Sequence, residues 1–292
     1  MVALTGKSYI LTAVAIAFAI CSCGCARLSQ GALVPVAQAN TEGTSLVPVL
    51  VATKRKRSTT NPGEMFDSGV AEETSYASVT ISMPPDAVRK IGDVQWPPTS
   101  PGDPQQSFVT VSANYLDQQS FGSALSAAAK KSGRGKVLLF VHGFNNRFDE
   151  AVYRFAQIMH DSKAPAVPVL FSWPSHGVIG LRAYQDDLEN ATSSREALEQ
   201  VLDGIAANAN VKEVTIVCHS MGCFLTLEAL HAKALRTGKI GDKVKNVLFV
   251  APDVNINLFR TQMREMGSAR PRFALLRVGN HRLLHPHNHP RY

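Results

Sequence analysis

The stretch "IVCHSMGC" (216–223) sets a serine between a β-branched run and the start of an apolar helical pattern. A serine hydroxyl is a poor nucleophile. Catalysis by Ser220 requires exposure, a neighbouring base and amide donors aimed at the developing oxyanion. A tight strand-to-helix turn exposes the side chain and turns unpaired helix N–H groups toward the reacting carbonyl. Small residues must flank such a turn, because the helix passes close to the strand. The usual pattern is G-x-S-x-G. Here Cys218-His219-Ser220-Met221-Gly222 keeps the second glycine and replaces the first with cysteine. The competing reading of Ser220 is an ordinary helix N-cap. A second signal is "VHGF" at 141–144, where a His-Gly pair lets backbone approach a substrate. The oxyanion donors are then expected to be the N–H groups of Phe144 and Met221, with His142, Gly143 and Gly222 shaping the loop and the turn.

The hydroxyl also needs an acid–histidine pair. Asp253 ends the run "VLFVAPD" and could serve as the acid, or equally as a strand-end turn residue. His281, His285, His287 and His289 crowd the C-terminal tail, and no spacing singles one out as the base. The expected catalytic set is Ser220, Asp253 and His285. The same histidines could bind a transition metal nonspecifically, but "HPHNH" is too proline-broken for a defined zinc site, so neither metal nor cofactor is assigned. Without a placed imidazole, only the oxyanion donors would contribute, orders of magnitude more slowly.

These residues need elements to hold them. "KVLLFVHG" (136–143), "VPVLFSWPS" (167–175), "VTIVCHS" (214–220) and "VKNVLFVAPD" (244–253) are continuous apolar runs, as strands buried on both faces should be. Between them, Val152, Phe155, Ala156 and Met159, then Leu198, Val201, Leu202 and Ile205, fall at helical spacing, and "FLTLEALHAKAL" (224–235) follows Ser220. Strand–helix alternation of this kind predicts an α/β fold with a mostly parallel sheet, its site at the carboxyl ends of the strands. "YASVTISM" (76–83) and "FVTVSANYL" (108–116) read as two earlier strands.

Outside that region the chain reads differently. Residues 1–25 have Lys7, the 13-residue apolar run "YILTAVAIAFAIC" and then small residues, which fits an export leader and falls short of the ~20 apolar residues of a membrane span. Cys23 and Cys25 each follow a partial lipoprotein box, and lipidation would hold the protein at a membrane surface. A plain secretion signal and a retained anchor are the alternatives. Residues 26–74 read as a flexible tether, 75–279 as the folded domain and 280–292 as an irregular His/Pro/Arg-rich tail. Cys218 and Cys223 are expected as two buried free thiols, since a bridge would run through the turn carrying Ser220. The net charge of +7 comes from "KRKR" (54–57) and from seven arginines between Arg260 and Tyr292, leaving the rest of the chain slightly acidic. A nucleic-acid partner is therefore not expected, and KRKR reads as a solvated linker.

"LLFVHGFNNRFDEAVYRFAQI", "VLFSWPSHG", "YQDDLENATSSREALEQVL", "VTIVCHSMGCFLTLEAL" and "VLFVAPDVN", in this order, resemble a bacterial family of exported esterase/lipase-like proteins within the α/β-hydrolases. The likeness covers about residues 76–275. It implies the α/β-hydrolase fold and serine-dependent hydrolysis of esters, thioesters or amides but no particular substrate; a small-molecule or lipid-like ester is the partner expected. Tyr184 and Asp187 match recurrent positions of the third block and read as structural. The chain departs from the family after "RFALLRVG" (272–279), where an acid loop, helix, last strand and histidine would follow. A truncation or shifted frame near Leu276 is the expectation, with final strands and helix missing. The rival to the enzyme is a catalytically impaired scaffold serving as an envelope binding or structural protein.

Overall fold

The structure is a computed structural model that describes residues 31–36, 40–99 and 102–276. The leader with Cys23 and Cys25, and the tail with His285 and its neighbouring histidines, lie outside the described residues. Eight strands form one sheet: β1 (Ser45–Arg57), β2 (Phe66–Met83), β3 (Val109–Leu116), β4 (Lys136–Val141), β5 (Val167–Ser172), β6 (Glu213–His219), β7 (Val244–Val250) and β8 (Arg272–Leu276). Their order is β3-β2-β1-β5-β4-β6-β7-β8. The first three make an antiparallel meander, and from β1 onward every neighbouring pair is parallel.

Six helices are described: α1 (Gln118–Lys131), α2 (Phe148–Ser162), α3 (Leu181–Ser193), α4 (Arg195–Ala207), α5 (Met221–Thr237) and α6 (Ile256–Glu265). Successive side chains of a strand point to opposite faces, and β4 shows the consequence. Val137, Leu139 and Val141 enter one core with apolar residues of α1, α4 and α5, whereas Leu138 and Phe140 enter a second core built on α2. A strand covered on both sides must be apolar throughout, which is why "KVLLFV" has no polar alternation. Among the described residues no helix is long and apolar enough to cross a membrane.

The tether expected over residues 26–74 is corrected here. Residues 45–57 are β1, in the middle of the sheet, and residues 66–74 belong to β2. Leu50–Thr53 pair in parallel with Val169–Ser172 of β5, so β1 covers what would otherwise be that strand's open edge. Pro48 lies ahead of this stretch, where its missing N–H forfeits no bond to β5. KRKR is not a solvated linker either. It ends β1 among register shifts that turn Arg55 inward, 1% exposed, while Lys56 and Arg57 face solvent.

Candidate active site

β6 runs into Ser220 and out again into α5, with Ser220 at φ 49° and ψ −123°. A non-glycine residue held there costs on the order of 1–3 kcal/mol, so the surroundings must impose it. They do so on both sides of the residue. The Ser220 N–H donates to Val250 O at 3.1 Å, and its carbonyl accepts from Cys223 N–H at 2.9 Å and from Asp253 N–H at 3.2 Å. Gly222 lets the helix start directly against the β4 loop: a Cβ there would lie 2.2 Å from His142 O and 2.6 Å from Val141 O. Gly143 faces the turn from that loop, where a Cβ would lie 3.1 Å from the Ser220 Cβ.

Cys218 and Cys223 are joined by a disulfide, not left as the two free thiols expected from the sequence. The turn itself explains the difference. By reversing the chain at Ser220 it brings their α-carbons to 4.8 Å, inside the range a disulfide spans. The bridge therefore closes the base of the elbow instead of obstructing it.

The Ser220 side chain makes no capping bond to α5, and its hydroxyl has no hydrogen-bond partner among the described residues. The N–H groups of Phe144 and Met221 likewise have no backbone acceptor there. The loop at 142–146 is held from behind. His142 Nδ1 donates to Gly143 O at 2.9 Å, and Asn146 Nδ2 donates to Gly143 O at 3.2 Å and to Phe144 O at 2.8 Å. His142 is buried, stacked on Trp173 at 5.2 Å, and its indole partner donates back to His142 O at 2.8 Å. Burial, then the nearby Arg55 charge, push the imidazole down to about 3. It is neutral at physiological pH, with Nδ1 protonated because a carbonyl can only accept.

Asp253 is exposed just past β7, and its Oδ2 accepts the Tyr184 hydroxyl at 2.6 Å. Burial, then that carboxylate, raise the tyrosine above its ordinary range. The Tyr184 ring meets Phe144 edge-on at 5.5 Å, so α3 roofs both the expected acid and an expected oxyanion donor. Beside Asp253 an apolar pocket of 270 Å³ is lined by Phe249, Pro252, Val254, Phe259, Phe273 and Leu275. A larger, charged cavity of 590 Å³ sits at the other end of the sheet, where Lys136, Glu213, Val244 and Arg272 begin their strands. It lies at the opposite strand ends from Phe144, Ser220 and Asp253.

No histidine among the described residues is hydrogen-bonded to the Ser220 hydroxyl, and His285 lies outside them. One pair escaped the sequence reading. His176 Nδ1 meets Asp187 Oδ1 at 2.6 Å, and Asp187, fully buried, also accepts from Ser175 Oγ at 2.6 Å and His176 N–H at 2.9 Å. A carboxylate on Nδ1 leaves Nε2 free as a base or acid. β4 stands between β5, which leads to His176, and β6, which leads to Ser220, and among the described residues no hydrogen bond joins Ser220 to His176. Its only sequence signal was a Ser-His followed by an acid on the next helix. Among the described residues no group of three or more His, Cys, Asp or Glu could hold a metal ion.

Searches against curated proteins and against solved structures found no match. The family model described as "Alpha/beta hydrolase of unknown function (DUF900)" matches residues 117–285, from the start of the helix before β4 to beyond β8. That is more than half of the chain and takes in Phe144, Ser220 and Asp253, and the protein thus belongs to this α/β-hydrolase family.

Proposed function

We propose that the protein is a serine hydrolase that cleaves carboxylic esters, or thioesters or amides, through an acyl-enzyme at Ser220. Ser220 Oγ attacks the acyl carbon while its proton passes to an imidazole, assigned to His285 and oriented by Asp253. The N–H groups of Phe144 and Met221 receive the tetrahedral oxyanion. Collapse expels the leaving group with that proton, and water repeats the sequence to release the acid. The observation that supports this reading most is the strained Ser220, its hydroxyl unbonded, beside two amide donors without acceptors among the described residues. The apolar pocket by Asp253 favours an acyl group with hydrocarbon character. The export leader and its cysteines favour action at a membrane surface in the cell envelope, on a small-molecule or lipid-like ester.

A second reading, an impaired scaffold with a binding or structural role, draws support from one observation: among the described residues no histidine is hydrogen-bonded to the Ser220 hydroxyl. Fluorophosphonate labelling of the full chain separates the two, with Ser220→Ala as control. Labelling that vanishes in the variant is the expected result. A folded wild-type chain that resists labelling would sink the enzyme reading in favour of the scaffold.

A further inference from the structure

Arg55 is the root of a closed set of hydrogen bonds that ends on the oxyanion loop. Its Nε donates to Ser172 Oγ at 2.9 Å, and that hydroxyl lies 3.1 Å from His142 Nε2. Since His142 Nδ1 must donate to Gly143 O, Nε2 is the acceptor, and the Ser172 proton points at it. The second arm leaves from Nη2, which donates to Asn146 O at 2.7 Å, and Asn146 Nδ2 then donates to the same Gly143 O. Nη1 anchors the guanidinium to Ser175 O at 2.9 Å and Asp67 O at 3.3 Å. Both arms thus converge on one carbonyl.

That carbonyl belongs to the same planar peptide unit as the Phe144 N–H. In a trans peptide the C=O and N–H point in opposite directions, so fixing Gly143 O fixes where Phe144 N–H aims. We infer that Arg55 is the positioning residue of the oxyanion site, acting through Ser172–His142 and through Asn146 to aim the Phe144 amide. This rests on the serine-hydrolase reading of Ser220 and adds to it the part that holds one donor in place before substrate arrives. Preorganisation of that kind is where an oxyanion site gains its effect, because no reorientation is then required during reaction.

Arg55 also places charge behind the loop. It is buried, and among the described residues no carboxylate lies within ion-pair distance; Asp187 and Asp149 act on it only from farther away. Burial lowers its pKa only to about 10, so it remains a cation at neutral pH. Its field has the sign that opposes protonation of His142 and favours negative charge on the donor side of the loop. A lysine could supply the charge but not the fork that reaches Ser172 and Asn146 together.

The test compares wild type with Arg55→Met, Ser172→Ala and Asn146→Ala by fluorophosphonate labelling rate, by kcat and KM on a short-chain ester, and by the amide resonance of Phe144 in 15N-labelled protein. Loss of one oxyanion donor costs about 100- to 1000-fold in kcat, and a misaimed donor should cost about 10-fold or more. The expected result is slower labelling and lower kcat at unchanged KM, with the Phe144 resonance shifted or broadened. Arg55→Met removes a buried anchor, so if it fails to fold the half-exposed Asn146 and the Ser172 variant decide. Folded Ser172→Ala and Asn146→Ala proteins that label at the wild-type rate overturn the proposal. If wild type does not label, the hydrolase reading falls instead, and the Phe144 resonance alone judges the arrangement: unchanged in both variants, it overturns the positioning role.

Discussion

Gly222, in the first turn of α5, lies so close to the β4 loop that a methyl group on it would be 2.2 Å from the carbonyl oxygen of His142. The atom in the way is backbone, in the loop that carries Phe144, and cannot swing aside as a side-chain tip would. Gly222→Ala is therefore expected to destabilise the protein by about 1–3 kcal/mol or to distort the turn at Ser220. Gly204 on α4 is the control, because a Cβ there meets nothing within 4 Å. Gly204→Ala should stabilise by roughly 0.5–1 kcal/mol, since alanine loses less backbone freedom in a helix. Urea unfolding of the two variants checks both signs.

The disulfide between Cys218 and Cys223 encloses Ser220 in a short ring. Peptide mapping of the non-reduced protein should find the two cysteines linked, and finding both alkylated without reductant would reject the bridge. In a chain-entropy account a loop this short contributes about 2 kcal/mol. Cys218→Ala with Cys223→Ala should lower stability by about that amount. It should also loosen the backbone at Ser220, seen as faster amide exchange across residues 218–223.

Tyr184 and Asp253 are coupled across 69 residues of chain by a 2.6 Å hydrogen bond to an exposed carboxylate. A double-mutant cycle of Tyr184→Phe and Asp253→Asn should return an interaction energy of about 1 kcal/mol, favourable in wild type. Strict additivity would mean that solvent satisfies both groups equally well. If Asp253 orients the catalytic imidazole, Tyr184→Phe should reduce kcat far less than Asp253→Asn, because it frees the carboxylate without removing it.

His142 makes stability depend on acid. Its native value is held down to about 3, against 6.5 for the free side chain, first by burial and then by Arg55. Between those values the unfolded chain binds a proton that the folded chain refuses. Stability from this group is thus complete above about pH 6.5 and falls as pH drops toward 3, by up to about ten-fold in the folding equilibrium per pH unit. His160, lowered chiefly by burial, acts in the same direction. His142→Gln should flatten the acid limb of the unfolding midpoint between pH 6.5 and 4 relative to wild type; parallel curves would refute the assignment.

The turn at Ser220 and the loop at Gly143 were legible in sequence because their signals are local. An apolar run closed by His-Gly, and a β-branched run closed by Ser-x-Gly before an apolar helix, each announce a turn whose steric demands fall on adjacent residues. The parallel half of the sheet followed from the same regularity, since strands covered on both faces need apolar residues throughout. The start of the fold was not legible. Pro48 and KRKR carry the composition of a linker, yet β1 lies in the middle of the sheet because β5 needs a partner on its open side. The bridge at 218–223 is hidden from the sequence for a related reason: whether two cysteines five residues apart meet depends on the backbone between them, here a reversal at Ser220.

The sequence alone determined which segments become strands and helices around Ser220 and which glycines must stay bare, for these are demands a residue places on its neighbours. Only the tertiary structure decided that Arg55 is an interior cation bonded to Ser172 across 117 residues, that Asp187 holds His176, and that Tyr184 meets Asp253. A polar side chain carries no mark of its partner in the residues beside it. Its role is set when the sheet order brings distant strand ends together and burial makes every unpaired polar group costly.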